Sequence, residues 1–248
     1  MGIHPLAAHF AELADVYERG RPGYPPAVVG AISAELGLDP GSRVLDLAAG
    51  TGKLTRALVA GGLDVVAVEP LASLRAILSG VVGPERVVDG VAEQIPLPDA
   101  SVRAVTVADA FHWFDQARAL EEIARVLVPG GGLALLTTIT DFGEVAWAHE
   151  LGTLISEGRV EHPYFDGTPW QETLAATPGW SAPRLLRVTA PQPFSVAQMV
   201  DYIHSFSWVG AMPDAEREAF LGKAAEIIGD DMPDELPIQA QIWLSARD

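Results

Sequence analysis

Arg43-Val44-Leu45-Asp46-Leu47-Ala48-Ala49-Gly50-Thr51-Gly52-Lys53-Leu54-Thr55 decides the fold. Val44 to Leu47 is a short apolar run of the kind that forms a strand buried on both faces. Ala48 to Gly52 is built of small residues, which let the backbone bend sharply and a ligand come close. After Gly52 the apolar positions Leu54, Ala57 and Leu58 take up helical spacing. A strand, a small-residue turn and a helix put the free N–H groups of a helix start at the carboxyl edge of a sheet, a place suited to a nucleotide-type ligand.

Two familiar glycine turns do not fit. A Walker-type phosphate loop needs Ser or Thr after the lysine, and Lys53 is followed by Leu54. A dinucleotide fingerprint needs a third glycine where this chain has Thr55, and that glycine permits close helix–strand packing. A plain tight turn remains the structural alternative. Against it stands Val65-Val66-Ala67-Val68-Glu69-Pro70, a second buried strand ending in an acid that can accept both hydroxyls of a ribose.

These motifs resemble those of the class I S-adenosylmethionine-dependent methyltransferases, whose first motif is a strand ending in D-x-G-x-G-x-G. Ala48 replaces the first glycine, while Gly50 and Gly52 are kept. Asp89 to Asp99, DGVAEQIPLPD, resembles the family's adenine-side loop, and the likeness continues through Val126-Leu127-Val128-Pro129-Gly130-Gly131-Gly132-Leu133. Tyr17-Glu18-Arg19-Gly20-Arg21-Pro22-Gly23-Tyr24-Pro25 resembles the Y-x-x-x-R-P-x-Y-P lead-in of a group that includes trans-aconitate methyltransferase-like proteins.

The resemblance implies an α/β, Rossmann-like class I methyltransferase, with a seven-stranded, mostly parallel sheet, helices on both faces and a small helical cap. Its cofactor is S-adenosyl-L-methionine. Among residues in contact with it, Gly50 and Gly52 offer backbone, Glu69 holds the ribose with Pro70 beside it, and Ala92 and Glu93 sit by the adenine. Asp46 fixes the start of the glycine turn or reaches the methionyl ammonium through water. Ala48, Thr51, Asp109 and Ala110 complete the binding set, with Tyr17 and Arg21 near the methionyl end. Tyr17 and Arg21 have an alternative as parts of a rigid linker packed on the core.

The stretch Ala108-Asp109-Ala110-Phe111-His112-Trp113-Phe114-Asp115 follows the fourth strand directly, where the transferred methyl would lie. The rings of Phe111 and Trp113 suit a sulfonium by cation–π attraction. His112 is the candidate catalytic residue, a general base for an acceptor hydroxyl. The alternative, which is favoured, is that His112 and Trp113 only wall the pocket. In-line transfer from an activated donor succeeds by positioning and desolvation alone.

Composition narrows the partners. The 248 residues are 49% hydrophobic, enough for a core. Sixteen Lys plus Arg against 33 Asp plus Glu leave a net charge of −17, which repels phosphate backbones and anionic membranes. Nucleic acid and membrane are therefore not expected as partners, and a small-molecule acceptor is, for O- or C-methylation with carboxylates included. There is no cysteine, no run long enough for a membrane span and no basic start followed by an apolar stretch, so a cytoplasmic protein is expected. No metal is expected, because His149 and His162 lack ligand spacing. Monomer or homodimer are both open. Two rival functions stay open: a non-catalytic sensor using the same pocket, and a cofactor-dependent enzyme that does not transfer methyl.

The pattern predicts helices over 9–18, 26–36, 53–59, 71–78, 116–127, 144–156, 195–207 and 214–228, with Ser195 and Asp214 as caps. Strands are predicted over 43–47, 65–69, 86–88, 102–108, 133–138, 184–189 and 238–244, the last antiparallel by the resemblance. Residues 157–180 read as irregular. One methyltransferase domain spans 1–248, with a core of about 25–140, 182–193 and 236–248. Segments 1–24, 141–181 and 194–235 make up a cap over the acceptor pocket. In the cap, His149, His162, Tyr164, Trp170, Tyr202, His204 and Trp208 are candidate acceptor contacts, while Tyr202, Phe206 and Val209 at helical spacing read as core in preference to pocket.

Overall fold

Strand alternation builds two apolar layers from one sheet. In the computed structural model, which describes residues 3–140, 145–160, 162–229 and 232–247, the strands are β1 (Arg43–Leu47), β2 (Asp64–Val68), β3 (Val87–Val88), β4 (Val102–Ala108), β5 (Leu127–Thr140), β6 (Arg184–Pro193) and β7 (Glu235–Ala246). They lie in the order β3-β2-β1-β4-β5-β7-β6. The first five run parallel, and β7 is antiparallel to both β5 and β6.

Successive side chains point to opposite faces of a strand. Leu45, Leu47, Val105, Val107, Leu133 and Leu135 therefore share one core. Val44, Ala104 and Ala134 join the other. The first face is covered by α6 (Gln116–Val126), which buries Ala119, Leu120, Ile123 and Val126, and by Trp170 and Leu174 of α9 (Trp170–Ala176). The second is covered by α3 (Pro26–Leu36) and α4 (Lys53–Ala60). Each fully buried Leu, Ile or Val contributes roughly 1.5–3 kcal/mol, so two such layers make the sheet the rigid part of the molecule. The open, mostly parallel, doubly covered sheet is the one expected.

A third core lies at one end. Trp147 and Leu151 of α7 (Ala146–Gly158) pack with Met199 and Ile203 of α10 (Val196–His204), Val209 of α11 (Ser207–Gly210) and Ala224 and Ile228 of α12 (Asp214–Ile228). Leu236 and Ile238 of β7 extend into it and tie it to the sheet.

Several elements depart from expectation. The helix expected over 9–18 is broken into α1 (Pro5–Ala8), a 3-10 turn (His9–Ala11) and α2 (Ala14–Gly20). The break lets Leu13 turn inward, and Phe10 meets Tyr17 edge to face at 5.8 Å. α5 (Ala72–Val82) runs a turn past Leu78 before Gly83 ends it. β6 and β7 outrun their predicted lengths because they pair with each other as a long antiparallel ladder, while β5 begins early at Leu127, which pairs in parallel with Val102, and runs on to Thr140 against β7. Residues 157–180 are not irregular: α8 (Pro163–Asp166) and α9 form there, α8 started by Pro163 and by the His162 side chain accepting from the Tyr164 amide. The single helix expected over 195–207 is interrupted at Ser205. Ser195 caps α10 by accepting from the Gln198 amide at 3.1 Å, but Asp214 lies inside α12 with Pro213 in the cap position. Glu144, the expected start of α7, lies outside the described residues.

Candidate functional site

The carboxyl ends of β1, β2 and β4 open into one cavity of about 820 Å³, toward the upper end of the roughly 300–1,000 Å³ of small-molecule sites. Its floor is the turn after β1. Ala48, Gly50 and Gly52 have φ of 54, 59 and 90°. The left-handed conformation is free for glycine and costs alanine roughly 1–2 kcal/mol, so Ala48 holds a strained place at the ligand edge. Ala48 and Gly50 line the cavity. Gly52 faces the other way: a Cβ there would come within 2.6 Å of Leu78 Cδ1, so its small size serves the close approach of α5.

Glu69 is 3% exposed at the end of β2. Its Oε2 accepts from the Gly50 amide and its Oε1 from the Leu71 amide, both at 2.9 Å. Burial pushes its pKa up to about 7, against the pull of those two amides and of Arg75. Pro70 lies beside it on the cavity wall.

The loop over 89–99, expected on the adenine side, is fastened from below. Ala92 is buried and Glu93 accepts from the Asp115 amide at 2.9 Å; both line the cavity. Arg125 of α6 donates to the carbonyls of Ile95 and Leu97 and to Asp99, while Glu122 accepts from the Ile95 amide.

At the end of β4, Asp109 has φ 51° and a half-buried carboxylate that accepts from the Thr138 amide at 3.0 Å and from the Tyr24 hydroxyl at 3.3 Å. Burial raises its pKa, and Arg21 opposes that rise. Arg21 donates to Ser205 Oγ at 2.8 Å, and its guanidinium is stacked among the rings of Tyr17, Tyr202 and Phe206 at 5.3, 4.9 and 5.4 Å. The Tyr17 hydroxyl is pushed up to about 12, chiefly by burial. Glu18 ties this strap to α4 through Arg56 at 2.9 Å and Lys53 at 3.5 Å, and Arg19 ties it to Asp201 of α10 at 2.9 Å.

The far wall is made of rings. His112 and Trp113 lie at a centroid distance of 4.8 Å, Trp113 and His162 at 4.7 Å, and His112 and Tyr164 at 5.2 Å. Burial, aided by His162, Arg21 and His4, pushes the His112 imidazole down to about 3.

The structure thus gathers Tyr17, Arg21, Ala48, Gly50, Glu69, Pro70, Ala92, Glu93, Asp109, Ala110, His112 and Trp113 around one space. Four expected residues stand elsewhere. Asp46, 1% exposed, shares the α4 face of β1 with Val44 and accepts from Thr55 Oγ1 at 2.6 Å and Thr106 Oγ1 at 2.9 Å; it fixes the turn and does not line the cavity. Thr51 is fully buried behind the turn, and Gly52 packs on Leu78. Phe111 points into the core against Phe114 and Trp170 and so does not line the cavity. Of the residues expected in a cap, His162, Tyr164, Tyr202 and Trp208 line the cavity, whereas His149, Trp170 and His204 do not. Tyr202 and Phe206, read as core, are also pocket wall because they flank Arg21. Ser207 and Thr138 escaped sequence reading as site residues: each falls at the end of a predicted element, the helix over 195–207 and the strand over 133–138, and neither sits in a motif.

A family model described as a methyltransferase domain matches residues 45–135. A protein of Mycobacterium tuberculosis described as an uncharacterized methyltransferase is 41% identical over 203 residues, 82% of this chain and 71% of the relative. One of Schizosaccharomyces pombe with the same description is 31% identical over 88% of this chain and 85% of its own length. A solved structure from Anaeromyxobacter dehalogenans, provisionally assigned as a type II methyltransferase, superposes with a TM-score of 0.65 at 25% identity, covering 92% of this chain and 97% of that one. Motif, relatives and sheet order agree, and the chain belongs to the class I S-adenosylmethionine-dependent methyltransferases.

Proposed function

We propose that this chain transfers the methyl group of S-adenosylmethionine to oxygen or carbon of a small-molecule acceptor, carboxylates included, by in-line displacement in which alignment provides most of the acceleration. The observation that carries this is the continuity of the cavity: Glu69 and the glycine turn at one end share a single space with the ring wall at the other. Donor and acceptor sites that meet without intervening protein are what direct transfer requires.

The cofactor fits the residues present. Among the described residues each Glu69 oxygen accepts one amide and keeps a lone pair for a ribose hydroxyl, and Gly50 faces the space without a Cβ. Ala92 and Glu93 would flank the adenine, and Tyr17, Arg21 and Asp109 the amino-acid end. When bound, the cofactor supplies a methyl group on a positively charged sulfur, already activated for displacement. Trp113 offers a ring face suited to that charge. His112, kept neutral by burial, adds no opposing charge and is a weak base, which favours a wall role over proton removal.

The net charge of −17 supports a small molecule over nucleic acid as acceptor. Among the described residues no helix is long and apolar enough to cross a membrane. We read the protein as cytoplasmic, a monomer or homodimer, and as one domain whose segments 1–24, 141–181 and 194–235 form the cap.

Mass spectrometry of small molecules released by denaturing freshly purified protein tests the reading, followed by calorimetric titration with S-adenosylmethionine and S-adenosylhomocysteine. Either compound released or bound supports it. Neither released, with no heat at millimolar ligand, rejects it.

A further inference from the structure

His162 and Ser207 form a buried polar pair in the acceptor half of the cavity, 8% and 3% exposed, and both line it. The Tyr164 amide donates to His162 Nδ1 at 3.2 Å, so that nitrogen presents its lone pair. A neutral imidazole carries one hydrogen, which must then sit on Nε2. Nε2 lies 3.2 Å from Ser207 Oγ. Ser207 Oγ therefore accepts from His162, and its own proton is free to turn elsewhere. Among the described residues Ser207 Oγ has no other hydrogen-bond partner, and Ser207 lines the cavity.

The pair is not a proton relay. Taking a proton at Nε2 would first require the hydrogen on Nδ1, where it would face the Tyr164 N–H. Burial also holds the His162 pKa below its ordinary value, which favours the neutral ring. The pair is instead a donor set beside the rings of Trp113, His112 and Tyr164, which meet at 46° and 80° and so offer both faces and edges to the cavity.

We propose that Ser207, oriented by His162, is the acceptor-selecting donor of this pocket, and that it holds the carbonyl-type oxygen of a flat, conjugated acceptor such as an aryl ketone or aryl carboxylate. This rests on the reading of the cavity as a methyl-transfer site. With one lone pair held by His162, the hydroxyl still has its proton to place, and a carbonyl oxygen takes that proton; leaving it unpaired in a buried site costs more than a typical hydrogen bond gives. The ring wall accounts for the aromatic part of the acceptor, since stacked and edge-on contacts both reward a conjugated ring.

Protein loaded with S-adenosylhomocysteine, its affinity measured first by calorimetry, is titrated with 2-acetylnaphthalene and with 2-ethylnaphthalene and followed by tryptophan fluorescence. The two probes differ in one carbonyl. The ketone is expected to bind about tenfold more tightly. Ser207→Ala should remove that preference, weakening the ketone about tenfold and leaving both the hydrocarbon and S-adenosylhomocysteine unchanged. His162→Phe, which keeps a ring but frees the hydroxyl to turn, should narrow the preference as well. Equal affinities in the unaltered protein, or an equal loss of both probes in Ser207→Ala, overturn the assignment while S-adenosylhomocysteine binding leaves the methyltransferase reading standing. A protein that distinguishes the probes through Ser207 but binds no S-adenosylhomocysteine supports the donor and rejects the cofactor reading.

Discussion

The Gly50 amide donates to Glu69 Oε2 at 2.9 Å, so the acid that ends β2 fixes the turn that ends β1. Glu69 also receives the Leu71 amide, and one carboxylate thereby sets the direction of both chain segments at the cavity floor. Removing it takes away the shape of the turn and, on the proposed reading, the ribose contacts with it. Glu69→Ala is expected to weaken S-adenosylhomocysteine at least tenfold, about 1.4 kcal/mol. Glu69→Gln should not rescue it, because the amide nitrogen would have to face one of two N–H donors. Calorimetric dissociation constants check both, and an unchanged value for Glu69→Ala rejects the ribose role.

The same acid makes affinity depend on pH. Its pKa is pushed from 4.5 up to about 7 by burial. A carboxyl that titrates higher when folded binds its proton more readily there, so its contribution favours folding below about pH 4.5 and is lost as pH rises through 7. Asp46, pushed up to about 6, acts in the same direction. Ribose hydroxyls donating to Glu69 favour its charged form and lower its pKa again. The liganded protein then holds fewer protons, and affinity for S-adenosylhomocysteine should rise from pH 6 to pH 8. In Glu69→Gln the rise should flatten. A slope of the opposite sign in the unaltered protein counts against ligand donation to this carboxylate.

Gly20 lets α2 lie close against α10. A Cβ at this position would collide with the backbone of Asp201 and Tyr202, and no rotamer change relieves a clash with backbone. Gly20→Ala is expected to lift α2 from α10 and to strain the Arg19–Asp201 and Arg21–Ser205 contacts. Limited proteolysis should cut the segment before Tyr24 several times faster, with S-adenosylhomocysteine binding weakened. Gly23→Ala, where nothing stands within 4 Å of the added carbon, is the control and should leave both unchanged.

The sheet was legible because alternation and motif spacing are local properties: the bounds of β1, β4 and α3 follow from Arg43–Leu47, Val102–Ala108 and Pro26–Leu36 without any knowledge of their neighbours. Asp46 was legible in principle, since period two puts it opposite Leu45 and Leu47 and with Val44. Phe111 was not. It heads a 3-10 turn, Phe111–Trp113, and which of three successive rings faces inward depends on where Trp170 lies, fixed by a segment some sixty residues on. Ser207 was hidden for the same reason: its partner His162 lies 45 positions earlier. Cap geometry is made by packing between distant segments, and no short pattern records it.

His112 separates alignment from proton removal as the source of rate. Its imidazole, pushed down to about 3 by burial, holds almost no proton affinity to offer near neutral pH. Its ring contacts, 4.8 Å to Trp113 and 5.2 Å to Tyr164, are those of a wall. His112→Gln is therefore expected to keep S-adenosylhomocysteine affinity and, once an acceptor is in hand, to keep kcat within about tenfold, with any loss in KM for the acceptor. The unaltered enzyme should show no inflection near pH 6.5 that this substitution abolishes. A kcat lower by the 10²–10⁴-fold that general bases typically supply would establish proton removal by His112.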